Sequence, residues 1–203
     1  MANSKLNCYN ISLFNIGHTR RVNTLIEDTV ERRNCETVYE QKKESLLSSS
    51  NWGFAKTSVG LSSTGYTPIG WAYEYFYPIG CLRAIEIAKA SRELDPIPFQ
   101  SALRYNQDDG SERRVIWTNE PQANLIFIRN VQDPSVFTPK FTDALCAYMG
   151  IDLSRVMAKD SSVTNDMKQM FATHISEAIR MSEIEAKDEK ELDADWIREA
   201  YGV

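Results

Sequence analysis

The 203-residue chain has only two histidines, His18 and His174, and four cysteines, Cys8, Cys35, Cys81 and Cys146, so widely spread that no Cys-x-x-Cys pair occurs. That spacing gives neither a zinc knuckle nor a redox pair, and free buried thiols are expected. The sequence has no Gly-x-Ser-x-Gly elbow, His-Glu-x-x-His helix or Gly-x-x-x-x-Gly-Lys phosphate loop. No apolar run reaches the ~18 residues that a bilayer span needs. The opening Met-Ala-Asn-Ser-Lys-Leu-Asn-Cys lacks the basic-then-apolar order of a secretory leader, so the chain is expected to stay in the compartment where it is made. A basic excess is also missing. From Glu177 onward nine acids face four bases, which accounts for the whole net charge of −5. Such a stretch repels DNA and does not grip it. No catalytic, cofactor-binding or metal-ligating set is expected.

The few groups that could carry chemistry have simpler explanations. His174 falls on the apolar stripe of a long helical pattern, where a packed core histidine is the simpler reading. An enzyme pairing it with a cysteine is the competing one. His18 follows Gly17 at a helix end, where a cap is the ordinary role. Asp108-Asp109 and Asp193/Asp195 read as a hairpin tip and a solvated tail. The pairs Arg20-Arg21, Arg32-Arg33 and Arg113-Arg114 have acids close by in sequence and read as solvated faces or ion pairs.

What the chain has in quantity is ring area. Trp71-Ala-Tyr-Glu-Tyr-Phe-Tyr-Pro-Ile-Gly-Cys-Leu-Arg83 sets five aromatic side chains into seven positions. Each can bury roughly 150–250 Å². Pro78 and Gly80 rule out a long helix here, so the segment reads as a connector. It is either a plug at the base of a small core or a surface that packs on another chain.

Periodicity divides the rest. Leu6, Tyr9, Leu13 and Ile16 recur at helical spacing after a Ser4 or Asn3 start, with Gly17 as the stop. A second helix runs from about Thr29 to Leu47, with Cys35, Val38, Tyr39, Lys42 and Leu46 inward and Glu31, Lys43 and other charges on its wet side. Between Trp52 and Val131 the pattern shortens. Leu82 to Ala88 forms a strand with Ile85 and Ile87 on one face, and Phe99–Tyr105, Arg113–Thr118 and Asn124–Asn130 follow as an antiparallel meander. The last of these is apolar on both faces, so it must be covered within the chain or by a neighbour. Helical spacing returns at Thr138-Pro139 and runs to about Lys159. A second long helix capped by Ser161 or Ser162 continues into the acidic stretch. The expected class is α+β: residues 1–51 and 132–190 as an antiparallel bundle of about four helices, 52–131 as an inserted β-rich lobe, and 191–203 as a tail. The candidate partner-contact residues are Trp117 and Phe127 in the lobe and Trp196, Ile197 and Tyr201 near the chain end.

Several segments together carry a family resemblance. They are Asn15-Ile16-Gly17 ending the first helix, Cys35, Tyr39 and Leu46-Leu47 in the second, Trp52-Gly-Phe-Ala55, and Tyr77-Pro-Ile-Gly-Cys-Leu-Arg83. Phe137-Thr-Pro-Lys-Phe-Thr-Asp-Ala-Leu145 and the long final helix with its acidic tail complete the set. From about Leu6 to Ile184 the chain resembles the head-to-tail adaptors of short-tailed bacteriophages, the tail tubular protein A or gatekeeper family. The resemblance implies a helical bundle with a β-lobe and no enzymatic activity. It implies a homo-oligomeric ring, dodecameric in the family, between the portal protein and a tail nozzle resembling tail tubular protein B. DNA would pass through the lumen unbound, without any membrane role. The implied location is the virion neck, after assembly in the bacterial cytoplasm. A non-viral cytoplasmic scaffold or binding subunit is the alternative.

Overall fold

The computed structural model describes residues 4–88, 96–106 and 110–201, with side chains through residue 186. The protein is α+β, with four helices and two small antiparallel sheets. It divides into two compact units, Met1–Phe54 with Val131–Val203, and Ala55–Asn130.

The first unit holds α1 (Lys5–Asn15), α2 (Val30–Ser49), α3 (Pro139–Leu153) and α4 (Ser161–Tyr201). Their starts follow from short polar side chains that satisfy otherwise orphaned backbone donors. Ser4 Oγ accepts from Asn7 N, Thr29 Oγ1 from Arg32 N, and Thr138 Oγ1 from Phe141 N, with Pro139 in the first turn of α3. Gly17 stops α1 at φ +74°, the left-handed conformation that favours glycine, while His18 N donates to Leu13 O.

α3 packs against α1, α2 and α4. Phe141 sits at its buried start, with the rings of Trp52, Phe54 and Phe137 within 4.9–5.0 Å. Trp52 donates its indole N–H to Leu46 O at 2.9 Å. Trp52 and Phe54 therefore belong to the helical unit's core. Gly150 allows the close approach of α4, since a Cβ there would lie 2.8 Å from Met167 Sδ.

Three helical expectations are corrected. The helical path from Pro139 ends at Lys159 as expected, but not as one α-helix: α3 stops at Leu153, a π turn follows over Ser154–Ala158, and Lys159 closes it in the left-handed region. The wider turn rotates Val156 off the apolar stripe, and Val156 is exposed. The side-chain cap of α4 is Asp160, whose carboxylate accepts from Ser162 N at 2.8 Å, and neither serine supplies it. Lys43 and Glu31, expected on the wet side of α2, are buried. Lys43 is 1% exposed and satisfied by Glu40 Oε2 at 2.6 Å and Gln132 Oε1 at 3.4 Å, while Glu31 meets His18 Nε2 at 3.1 Å.

The second unit has β1 (Lys56–Gly60), β2 (Tyr73–Phe76), β3 (Cys81–Ala88), β4 (Phe99–Tyr105), β5 (Glu112–Thr118) and β6 (Asn124–Arg129). The sheets are ordered β1-β6-β3 and β2-β5-β4, with all neighbours antiparallel. The expected meander fails after its first hairpin. β4 and β5 pair, but Gln122 turns the chain at φ +57° and β6 enters the other sheet between β1 and β3. A strand apolar on both faces suits that central place. The aromatic segment is also more than a connector, because Tyr73–Phe76 is a strand. A bulge between Ala84 and Glu86 leaves Ile85 half-buried and out of step with buried Ile87. Tyr75, Ile87, Ile116, Leu125 and Phe127 form the core of this unit.

Candidate partner surface

Of the residues singled out in the sequence, Trp117 and Phe127 lie on strands of different sheets. Trp117, on β5, lies directly opposite Glu74 on β2 and donates its indole N–H to Glu74 Oε2 at 2.9 Å. Glu74 is fully buried and also accepts from Arg104 at 3.0 Å and Thr64 Oγ1 at 2.8 Å. A buried carboxylate with three donors is a structural pin, and it engages the polar atom of Trp117. Phe127 is 4% exposed and belongs to the unit's own core, so it offers a partner almost no area. Leu125 and Ile128 are likewise buried and Ile126 is half-buried, so most of the apolar surface of β6 is covered within the chain. Trp196, Ile197 and Tyr201 fall on α4, but their side chains lie outside the described residues, as do the tail carboxylates and Asp108-Asp109.

The apolar surface left open lies elsewhere in the β unit. Pro78-Ile79-Gly80-Cys81 is a tight turn closed by Cys81 N donating to Pro78 O, with Gly80 at φ +74° in the position where a type II turn requires glycine. Ile79 occupies the corner and is fully exposed. Ile69 is also fully exposed, and Phe76, Tyr73 and Val59 are partly so. β1 is an edge strand paired only with β6. A groove of about 500 Å³ is lined by β1 residues Thr57 to Gly60, by Phe76, Pro78 and Ile79, and by Phe127 and Arg129 of β6. Arg129 is its charged lining residue, and no acid lines it. Among the described residues Arg129 has no ion-pair partner. The sequence signalled the aromatic segment but not the groove, because the approach of residue 58 to residue 79 is set by tertiary structure.

Electrostatics elsewhere in the chain is largely internal. Arg20 and His18 face Glu31, Arg32 faces Glu36, and Arg33 faces Asp28. The Arg114 guanidinium stacks 3.8 Å from the Tyr77 ring centre. Burial pushes the Cys35 thiol up to about 12, and hydrogen bonding with Cys8 together with burial holds Cys146 well above the usual range. All four cysteines are buried and free. His174 is half-buried on α4, with Nδ1 enclosed and without a hydrogen-bond partner among the described residues. Among the described residues no three or more His, Cys, Asp or Glu side chains converge as metal ligands. Among them, too, no helix is long and apolar enough to cross a membrane.

No protein-family model matches the chain, and no curated protein matches it.

Proposed function

We propose that the chain is a structural adaptor of a tailed-phage neck: a ring of identical copies joining portal to tail nozzle, with DNA passing through the ring. In this reading the four helices form an antiparallel bundle that carries the β unit as an outlying lobe. The virion is then its location, after assembly in the bacterial cytoplasm. The observation that carries the reading is the open apolar surface of the β unit where Val59, Phe76 and Ile79 line one groove beside the edge strand β1. Chains seldom expose contiguous apolar area beside a free strand edge unless another chain covers it. The segment order of the resemblance supports the viral setting. α4 adds reach: its 41 residues span roughly 60 Å, against roughly 22 Å for the 15 residues of α3. An acidic stretch at its end would favour DNA transit without adhesion.

The test is to mix purified chain with purified portal rings and image side views. An added collar beneath the portal supports the adaptor reading. Chain that stays unassociated while self-assembling into a small defined oligomer supports the non-viral scaffold instead.

A further inference from the structure

We infer that the groove beside β1 receives the exposed connection between α1 and α2 of a second copy of this chain. The contact rests on the ring-forming reading for its setting and adds the surface through which copies join. The receiving half is apolar and basic: Val59, Phe76 and Ile79 offer open hydrophobic area, and Arg129 has no acid beside it in the groove.

The inserting half lies in the other unit of the chain. Ile26 is 92% exposed, Leu25 and Val30 are exposed too, and the acids Glu27 and Asp28 follow Ile26 directly. Apart from a turn at 25–26 the segment has no helix or strand of its own, and Thr29 is extended at φ −110°, ψ 156°. Its shape is set in advance. Glu27 accepts from Asn23 N, Thr24 N and Thr29 Oγ1, which fixes the turn that presents Ile26. Asp28 is 81% exposed and, among the described residues, pairs only with the exposed Arg33, at 3.5 Å, leaving it available to Arg129 of a neighbour. A pre-ordered loop loses less entropy on docking than a floppy one.

The two halves are different surfaces present on every copy. The contact is therefore head-to-tail and repeats from copy to copy, closing when the rotation per copy is right. Charge and apolarity match across it: an isoleucine followed by acids meets an apolar groove ending in an unpaired arginine.

Two single variants and their mixture test this. Ile26→Asp spoils only the inserting half and Ile79→Asp only the groove, and both positions are exposed, so melting temperature should not change. Mass photometry should show wild type assembling beyond dimer and each variant alone as monomer. The equimolar mixture should give a dimer that grows no further, because one intact groove and one intact loop make a single joint. In parallel, Asp28→Arg or Arg129→Asp alone should weaken assembly about tenfold or more, and the double swap should restore it. Variants that assemble like wild type, or a mixture that stays monomeric, overturn this contact. Portal binding, measured separately, would be untouched by that failure and tests the adaptor reading itself.

Discussion

Trp117 and Glu74 face each other across the β2–β5 pair, with the indole N–H 2.9 Å from a carboxylate oxygen that no solvent reaches. Arg104 and Thr64 complete the donors, so the charge is compensated at a single buried point. Removing the Glu74 carboxylate leaves the Trp117 indole and Arg104 without that acceptor, while Thr64 Oγ1 keeps the Glu74 carbonyl at 3.3 Å. Glu74→Ala should cost about 3 kcal/mol, discounted from the range for a fully buried pair because Arg104 is partly exposed. Trp117→Phe, which deletes one donor and keeps most of the ring, should cost about 1 kcal/mol. Urea unfolding of both variants and of the double variant checks this, and the pair should couple less than additively.

Lys43 lets the cost of burying a charge be separated from the cost of leaving a void. Its ammonium is enclosed against Glu40, and Glu40 also holds Lys5 at 3.3 Å. Lys43→Met fills the same space without the charge and should leave stability within about 1 kcal/mol of wild type. Lys43→Ala should be worse than Lys43→Met by roughly 2 kcal/mol, because it opens a cavity between α2 and the chain after β6. Thermal and urea unfolding of the two variants decide it.

The contact of α3 with α4 depends on an absent side chain. Gly150→Ala gains about 1 kcal/mol of helix propensity. It also places a methyl 2.8 Å from Met167 Sδ and 3.6 Å from Ile16 Cγ2. Met167 is buried, so relief requires repacking that costs about 1–3 kcal/mol. A net loss of stability is expected, and Gly150→Ala with Met167→Ala should recover part of it.

Acid should loosen the seam between α1 and α2. Hydrogen bonds from Lys5 and then Tyr9 hold the Glu36 carboxyl below the ordinary glutamate range. A depressed carboxyl contributes stability at neutral pH, and that contribution fades as pH falls through the ordinary glutamate range and below it. Glu36→Gln should flatten this part of the stability–pH curve while lowering stability at pH 7. Melting curves from pH 7 to pH 3 for both proteins provide the check.

Local signals gave the helix starts at Ser4, Thr29 and Thr138 and the stop at Gly17, because a cap needs only residues three or four apart. Four of the six strands were legible for the same reason. The path of β6 was not, since alternation reveals that both faces are apolar but not which neighbours cover them. Burial of Lys43 and Glu31 is not legible locally, because Gln132 and His18, which close over them, lie outside the helix that holds them, although Glu40 of the same helix pairs with Lys43. Trp117 pins Glu74 and Phe127 fills the core of the β unit, and both uses depend on neighbours distant in sequence. The open residues, Ile79 and Ile26, sit at turn corners, where exposure follows from backbone geometry and no hydrophobic pattern marks it.

The account depends on copies of this chain assembling on a portal, and weighing the assembly tests that most directly. Portal rings incubated with excess chain and analysed by native mass spectrometry should yield one dominant complex, with as many copies of the chain as of portal subunits. Portal rings of unchanged mass beside free monomeric chain would contradict it.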